Sequence, residues 1–340
     1  MPRRATVTEV AQLAGVSVAS VSRVLNGIPA RADTEERVRR AAAELGYIPD
    51  AAAKSLKLGR SLQIAFAVDD IANPVYAQMM HGVEAGLLGS DSRLLVASTG
   101  RRPDDLLELV HNLSRGLADG LVISPLRHSP ELLDALAQAP VPVVVIGDTG
   151  DDQRLDQVRT DSATGVALAY DHLVASGRSR VGFVNGPADT TPGRSRLAGF
   201  ESSRRRHGGN GPVIEAVDFT VTGGESVWLA LERATRVDGV DAVIAANDLI
   251  ALGIARAALT SGRRIPSSFA LVGVDDIEIA SIFTPSLTSV SLKAHERGQI
   301  AAQLILRRIA NPSAPPERRF VTPELVVRES TSPVEPEGSR

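Results

Sequence analysis

At 340 residues the chain exceeds a single small module, and its 43% hydrophobic and 23% charged residues are those of an ordinary globular protein, with only 3% aromatic. It has no cysteine, which excludes disulfides and thiolate zinc sites and fits a reducing compartment. The net charge of −3 is unevenly spread: ten basic against six acidic residues through Arg60 give that head +4 and leave −7 on the rest, so only the head is suited to a polyanion.

The opening MPRRATVTEV lacks the apolar stretch of a signal peptide. The longest apolar runs, LQIAFAV and PVPVVVIG, are far short of a membrane span, so a cytoplasmic protein without a membrane partner is expected. In TVTEVAQLA, Thr6 and Glu9 stand three apart as a capping box, and Val7, Val10, Ala11 and Ala14 form one apolar stripe. Gly15 can stop this first helix and Ser17 can cap the next after a short turn. In the second helix Val21, Val24 and Leu25 face inward, leaving Val18, Ala19, Ser22, Arg23 and Asn26 outside. Short side chains let such a helix approach a surface closely, and the arginine can reach a guanine edge or a phosphate. A third helix follows, with Asp33 or Thr34 as its cap and Val38, Ala41, Ala42 and Leu45 as its stripe.

The segment YIPDAAAKSLKLGRS has Pro49 and Asp50 at the start of a helix too short to stand alone, so it folds only when something holds it. VTEVAQLAGVSVASVSRVLNG followed by ELGYIPDAAAKSLKLGRS resembles the DNA-binding head of the LacI/GalR family. The resemblance implies that the second helix lies in the major groove, with Val18, Ala19 and Arg23 reading bases. It implies phosphate or register contacts for Thr6, Ser17, Ser20, Ser22, Asn26 and Tyr47. It also implies that Leu56, with Ala53 and Lys57 beside it, wedges open a minor-groove base step when paired linkers of a homodimer meet a pseudo-palindromic double-stranded operator.

Beyond residue 60, apolar runs precede polar turns and helical stretches: LQIAFAV, RLLVAS, DGLVIS and VPVVVIG, then RVGFVN, DAVIAAN and ALVGVD. This alternation predicts parallel sheets covered by helices, divided between two lobes. Ligands of such sheets bind beyond the carboxyl ends of the strands. The residues there are polar: Asp69, Asp70 and Asn73; Ser124; Asp148; Asn185; Asn247 and Asp248; Asp275 and Asp276. Carboxylates and amides around one cleft suit a sugar or polyol. The six histidines are scattered and no catalytic, nucleotide or metal motif is present, so the expectation is a non-enzyme without cofactor or metal.

This region is similar to a periplasmic sugar-binding protein fused to the head, on the strength of GPADTTPGRSRLAGF, AANDLIALG, LVGVDD and FTPSLTSV. The similarity implies that Arg196, Asn247 and Asp275 contact ligand hydroxyls, that Phe219 covers the ligand, and that Val75 and Tyr76 flank it; Asn73 and Asp148, taken from the strand ends, complete the expected effector site. Gly147 stands where many sugar-responsive members have an acid, with Asp148 one place later. Thr190 and Pro192 weaken a purine reading.

The expected architecture is therefore an all-α helix-turn-helix head (1–48), a hinge helix or linker (49–60), and a two-lobed α/β periplasmic-binding-protein-like sensor that also dimerises (61–330). Lobe 1 takes about 61–160 plus 292–322, lobe 2 about 161–291 plus 323–330, and 331–340 is a disordered tail. The expected function is a transcription repressor of carbohydrate-utilisation genes, released by a sugar or polyol. The alternatives are a corepressor-dependent regulator binding a purine or other metabolite, and a sugar-binding receptor without a gene-regulatory role.

Overall fold

The structure, a computed structural model, describes residues 7–25, 30–45, 63–99, 106–110, 118–150 and 152–332. Thr6, Asn26, Tyr47, Ala53, Leu56 and Lys57, like the side chain of Ser22, lie outside the described residues. The chain divides into two compact units, Met1–Leu62 and Gln63–Arg340.

In the first unit, helices α1 (Val7–Ala14), α2 (Val18–Leu25) and α3 (Ala32–Glu44) enclose Val10, Ala11, Ala14, Val21, Val24, Val38, Ala41 and Ala42. Gly15 adopts φ +62°, and the Val16 amide donates to the Ala11 carbonyl at 3.1 Å, closing α1 with the left-handed residue such an ending needs. Ser17 Oγ accepts from the Ser20 amide at 3.1 Å, which starts α2 only three residues later. Two details depart from the sequence reading. The third helix begins at Ala32, so the Arg31 carbonyl accepts from the Thr34 and Glu35 amides and Asp33 sits inside the first turn. There its carboxylate meets the positive helix end and Arg37 at 3.6 Å. Leu45 falls past the last helical residue and is 37% exposed, so the apolar stripe stops at Ala42.

The second unit holds two six-stranded sheets. Sheet 1 contains β1 (Gln63–Val68), β2 (Arg93–Ser98), β3 (Gly120–Ser124), β4 (Val143–Ile146), β5 (Asp156–Thr160) and β11 (Arg318–Val321), in the order β11-β5-β4-β3-β1-β2. Sheet 2 contains β6 (Val181–Asn185), β7 (Val213–Glu215), β8 (Ala242–Ala245), β9 (Ala270–Val274), β10 (Thr288–Ser291) and β12 (Glu324–Val326), in the order β12-β10-β9-β8-β6-β7. Every pairing is parallel except β10 with β12. The central strands read VVVI, GLVIS, AVIA and ALVGV because helices cover both faces of a parallel sheet. At one edge, RLLVAS leaves Leu95 41% and Val96 40% exposed.

The chain passes between sheets after Thr160, after Ser291 and after Val321. Helices α4 (Pro74–Leu87), α5 (Pro130–Ala137) and α12 (Ala294–Ala310) pack with sheet 1. With sheet 2 go α6 (Ser162–Ala175), α7 (Thr191–Arg206), α8 (Val221–Ser226), α9 (Trp228–Arg236), α10 (Asp248–Thr260) and α11 (Glu278–Ile282).

Helices α4 and α12 touch backbone to backbone. A Cβ at Gly82 would lie 1.9 Å from the His295 carbonyl oxygen, and one at Gly298 would lie 2.1 Å from the Met79 carbonyl oxygen. Neither obstacle is a flexible side chain, so the helices would have to separate. Gly82→Ala is therefore expected to lower stability by about 1–3 kcal/mol in denaturant titration. An unchanged midpoint would show that the helices are not in contact.

The disordered tail expected over 331–340 does not hold at its first residue. Glu329–Thr331 forms a 3-10 turn in which Ser330 and Thr331 are buried. Ser330 Oγ donates to the Leu271 carbonyl at 2.6 Å and accepts from the Thr288 amide at 2.8 Å. Thr331 Oγ1 pairs with Thr288 Oγ1 at 2.8 Å and His172 Nε2 at 2.9 Å. These hydroxyls supply partners to groups of β9, β10 and His172 inside the protein.

Candidate DNA interface and ligand cleft

On α2 the inward positions Val21 and Val24 fix which face turns out. That face carries Ser17, Val18 (43% exposed), Ala19 and Arg23, with Ser20 half-buried. Ser17 and Ser20 share a 3.0 Å hydroxyl contact at the helix start. Ser17 takes up the Ser20 and Val21 amides, and amides of the first turn that lie ahead of them are suited to a phosphate, with small side chains above that leave the approach open.

In the second unit a cavity of about 400 Å³ opens between the lobes. That is within the roughly 300–1,000 Å³ of small-molecule sites. Asn73, Val75, Tyr76, Asp148, Arg196, Phe219, Asn247 and Asp275 all line it, as do Asp69, Asp70 and Ser124. Three other strand-end residues do not. Asp248 turns into the core, accepting from Ser289 Oγ at 2.6 Å and the Ile277 amide at 2.8 Å. Asp276 pairs with Arg328 at 2.6 Å, and Asn185 is buried within β6.

Five helices begin at this cleft, capped by Asn73 (α4), Asp161 (α6), Thr190 (α7), Thr220 (α8) and Asn247 (α10). Their positive ends converge where hydroxyl oxygens or anions would sit. Asn247 is 1% exposed, and its amide is largely engaged. Its Oδ1 accepts from the Ile250 amide at 2.9 Å and its Nδ2 donates to the Phe219 carbonyl at 3.1 Å. It therefore positions Phe219 as well as facing the cleft, and one amide proton remains for a ligand. The Phe219 ring is seated on Gly186, where a Cβ would come within 2.2 Å of it.

At the floor, Arg196 donates to Asp275 Oδ1 at 3.1 Å and to the Ala246 carbonyl at 2.5 Å, both side chains being buried. Burial pushes the Asp275 carboxyl up, while Arg196 and Arg297 pull it back. Asp275 has φ +109°, a region that L residues rarely adopt and that clusters at functional sites. Burial also pushes the Tyr76 phenol up, aided by Asp69 and Asp275, so it stays a neutral donor at physiological pH. At the rim Asp148 is exposed and pairs with Arg159 at 2.7 Å, and the Arg159 guanidinium lies 4.6 Å from the Phe320 ring centre.

The lobes touch across the cleft mouth. Arg127 grips Asp189 through two bonds of 2.7 and 3.1 Å, holding that carboxyl below the usual range. The Thr191 amide donates to the Leu126 carbonyl at 2.9 Å, and Gln78 Nε2 donates to the Asp276 carbonyl at 3.1 Å.

Arg127, Arg159 and Arg297 escaped the sequence reading. Arg297 left a signal: it interrupts the buried stripe Ala294, Gly298, Ala301, Ile305 of α12, where an arginine needs a reason. Arg127 and Arg159 left none, because only the fold sets them beside Asp189 and Asp148. Among the described residues no group of three or more acidic or histidine side chains is placed to hold a metal. None of the described helices is long and apolar enough to cross a membrane.

Fold and site together define a two-lobed ligand-binding protein that carries a helix-turn-helix unit. The chain belongs to the lacI family of bacterial regulatory proteins, whose profile matches residues 6–50, while that of the periplasmic binding protein-like domain matches 170–331. It is 32% identical over 332 residues to the ribose operon repressor of Escherichia coli (strain K12), covering 96% of this chain and 99% of that one. The lac repressor dimer, solved with operator and the anti-inducer ONPF, superposes with a TM-score of 0.86 at 27% identity, over 97% of this chain and 99% of that one. The transcriptional regulator CelR in its cellobiose complex gives 0.72 at 32% identity, over 96% of this chain and all of that one.

Proposed function

We propose that this protein is a homodimeric, sequence-specific transcription repressor in the cytoplasm, whose grip on a pseudo-palindromic operator is released by a sugar or polyol in the interlobe cleft. The observation that carries the reading is a buried Arg196–Asp275 pair beneath an aromatic face and five helix starts, a set of groups suited to several hydroxyls at once. The ribose operon repressor and the CelR–cellobiose complex support it by likeness. Neither a metal nor a cofactor has a part in it, and nothing in it requires catalysis.

The ligand acts through its different affinity for the lobe arrangements, typically about 1–3 kcal/mol of coupling. Ser17, Ser20, Ser22, Thr6, Asn26 and Tyr47 hold phosphates or register, and Val18, Ala19 and Arg23 read the major groove. Linker residues Ala53, Leu56 and Lys57 enter the minor groove. Arg23→Ala is expected to cost about 1–3 kcal/mol on the preferred operator and to relax discrimination at one base pair. Equal losses on all sequences would make Arg23 a phosphate contact instead.

The deciding experiment selects an operator from random DNA and follows its binding by fluorescence anisotropy at fixed salt while sugars, polyols and purines are added. Release by one sugar upholds the reading. Tighter binding in the presence of a purine would replace it with corepression.

A further inference from the structure

Arg297 is 7% exposed, lies in the first turns of α12, and lines the cleft beside Tyr76 and the Arg196–Asp275 pair. Among the described residues its guanidinium forms no ion pair and no side-chain hydrogen bond, and its Nε is buried without a partner. The nearest carboxylate, Asp275, is already held by Arg196. Other acids of the cleft are also engaged. Asp148 pairs with Arg159, Asp161 caps α6, Asp218 accepts from Thr220, and Asp70 accepts from the Ala72 amide. Asp69 also lines the cleft and acts on the Tyr76 phenol, but the carboxylate that acts on Arg297 is Asp275, so around Arg297 the floor sets two arginines against that one carboxylate.

A buried charge is normally paired, because desolvation without a partner is costly. Burial draws the Arg297 pKa down to about 10, which still leaves it charged at neutral pH. The imbalance persists because close packing holds the residue where it is. Gly298, its neighbour, is in backbone contact with Met79, so α12 is fixed against α4. A neutral sugar would give Arg297 hydroxyl acceptors but no compensating charge.

We propose that the cleft takes a polyhydroxylated ligand carrying an anionic group, a carboxylate or a phosphate, and that Arg297 binds that group while Arg196, Asp275 and Asn247 hold the hydroxyls. This rests on the reading of the cleft as the effector site and narrows its ligand to sugar acids or sugar phosphates. Charge-assisted bonds of this kind are the strong ones, and arginine matches both anions in shape.

The test uses the full chain and calorimetric titration with matched probes: ribose, ribonate and ribose 5-phosphate; glucose, gluconate, glucuronate and glucose 6-phosphate. One acid or phosphate is expected to bind about tenfold or more tightly than its neutral parent, and Arg297→Gln to erase that preference. The acid and phosphate arms tell the two anions apart. A neutral sugar that binds best, with Arg297→Gln weakening every probe alike, would overturn the proposal and leave the effector reading standing. A second measurement needs no ligand: Arg297→Met is expected to raise the melting temperature of the free protein, because an uncompensated cation is replaced by an apolar chain of similar length. A lower melting temperature would mean that the cation is already balanced within the protein, and would overturn the proposal even if none of the probes binds. Failure of the whole series to bind would count against the effector reading itself.

Discussion

Asp275→Ala is expected to abolish the ligand response and to lower stability together. The carboxylate is buried against Arg196, so truncation leaves an arginine facing the cleft with its partner gone. Breaking a buried pair from one side costs about 3–5 kcal/mol. Losing a charged hydrogen bond to the ligand costs about 1.5–3 kcal/mol, or roughly 10–150-fold in affinity. Because φ at this residue is +109°, alanine keeps the backbone strain, whereas Asp275→Gly relieves it. The glycine variant should therefore be the more stable of the two and equally unresponsive. Melting curves with and without ligand, together with titration calorimetry, separate the effects. A normal response in either variant would mean that the ligand binds elsewhere.

Asp156→Ala should have an effect of similar size for a different reason. Asp156 opens β5 and accepts from Arg308 Nε at 2.7 Å, Arg308 Nη2 at 3.0 Å and the Glu317 amide at 2.7 Å. Arg308 also donates to the carbonyls of Ala314 and Pro315, so one carboxylate ties the loop NPSAPPERR and strand β11 to the strand that leads out of lobe 1. Both side chains are largely buried, and a loss of about 3–5 kcal/mol is expected. Since β5 continues into Arg159 and Asp161 at the cleft, ligand affinity should fall with it. Denaturant titration checks the first claim, and an unchanged midpoint would show that β11 is held by its backbone pairing alone.

Legibility in the sequence followed the range of the forces involved. The head was plain because a capping serine, a left-handed glycine and a stripe spaced three and four apart act within one or two helical turns. Strands β1, β3, β4, β6, β8 and β9 were plain because burial on both faces demands an unbroken apolar run. Strands β5, β7, β10, β11 and β12 were not. They are three to five residues long, and DQVRT, VIE, TSVS, RRFV and ELV carry no period of two that would set them apart from loop. They exist because a neighbouring strand already presents its hydrogen-bonding edge.

The sequence by itself determined the classes of element and the residues at the ends of the strong strands, since those depend on near neighbours. The strand ends placed Asn73, Asp148, Asn247 and Asp275 around one cleft, because parallel sheets bring their strand ends to one edge, and the resemblance to the family added Tyr76, Arg196 and Phe219. Only the tertiary structure decided what each of them has left to offer. Asn247 is mostly used as a cap, Asp248 turns into the core, and Asp148 is taken by Arg159, while Arg297 keeps an unshared charge. Apart from the Asn247 cap, whose partner is three residues on, those outcomes depend on partners eleven to some two hundred positions away, and no local pattern encodes a charge balance that is struck only when distant segments are packed together.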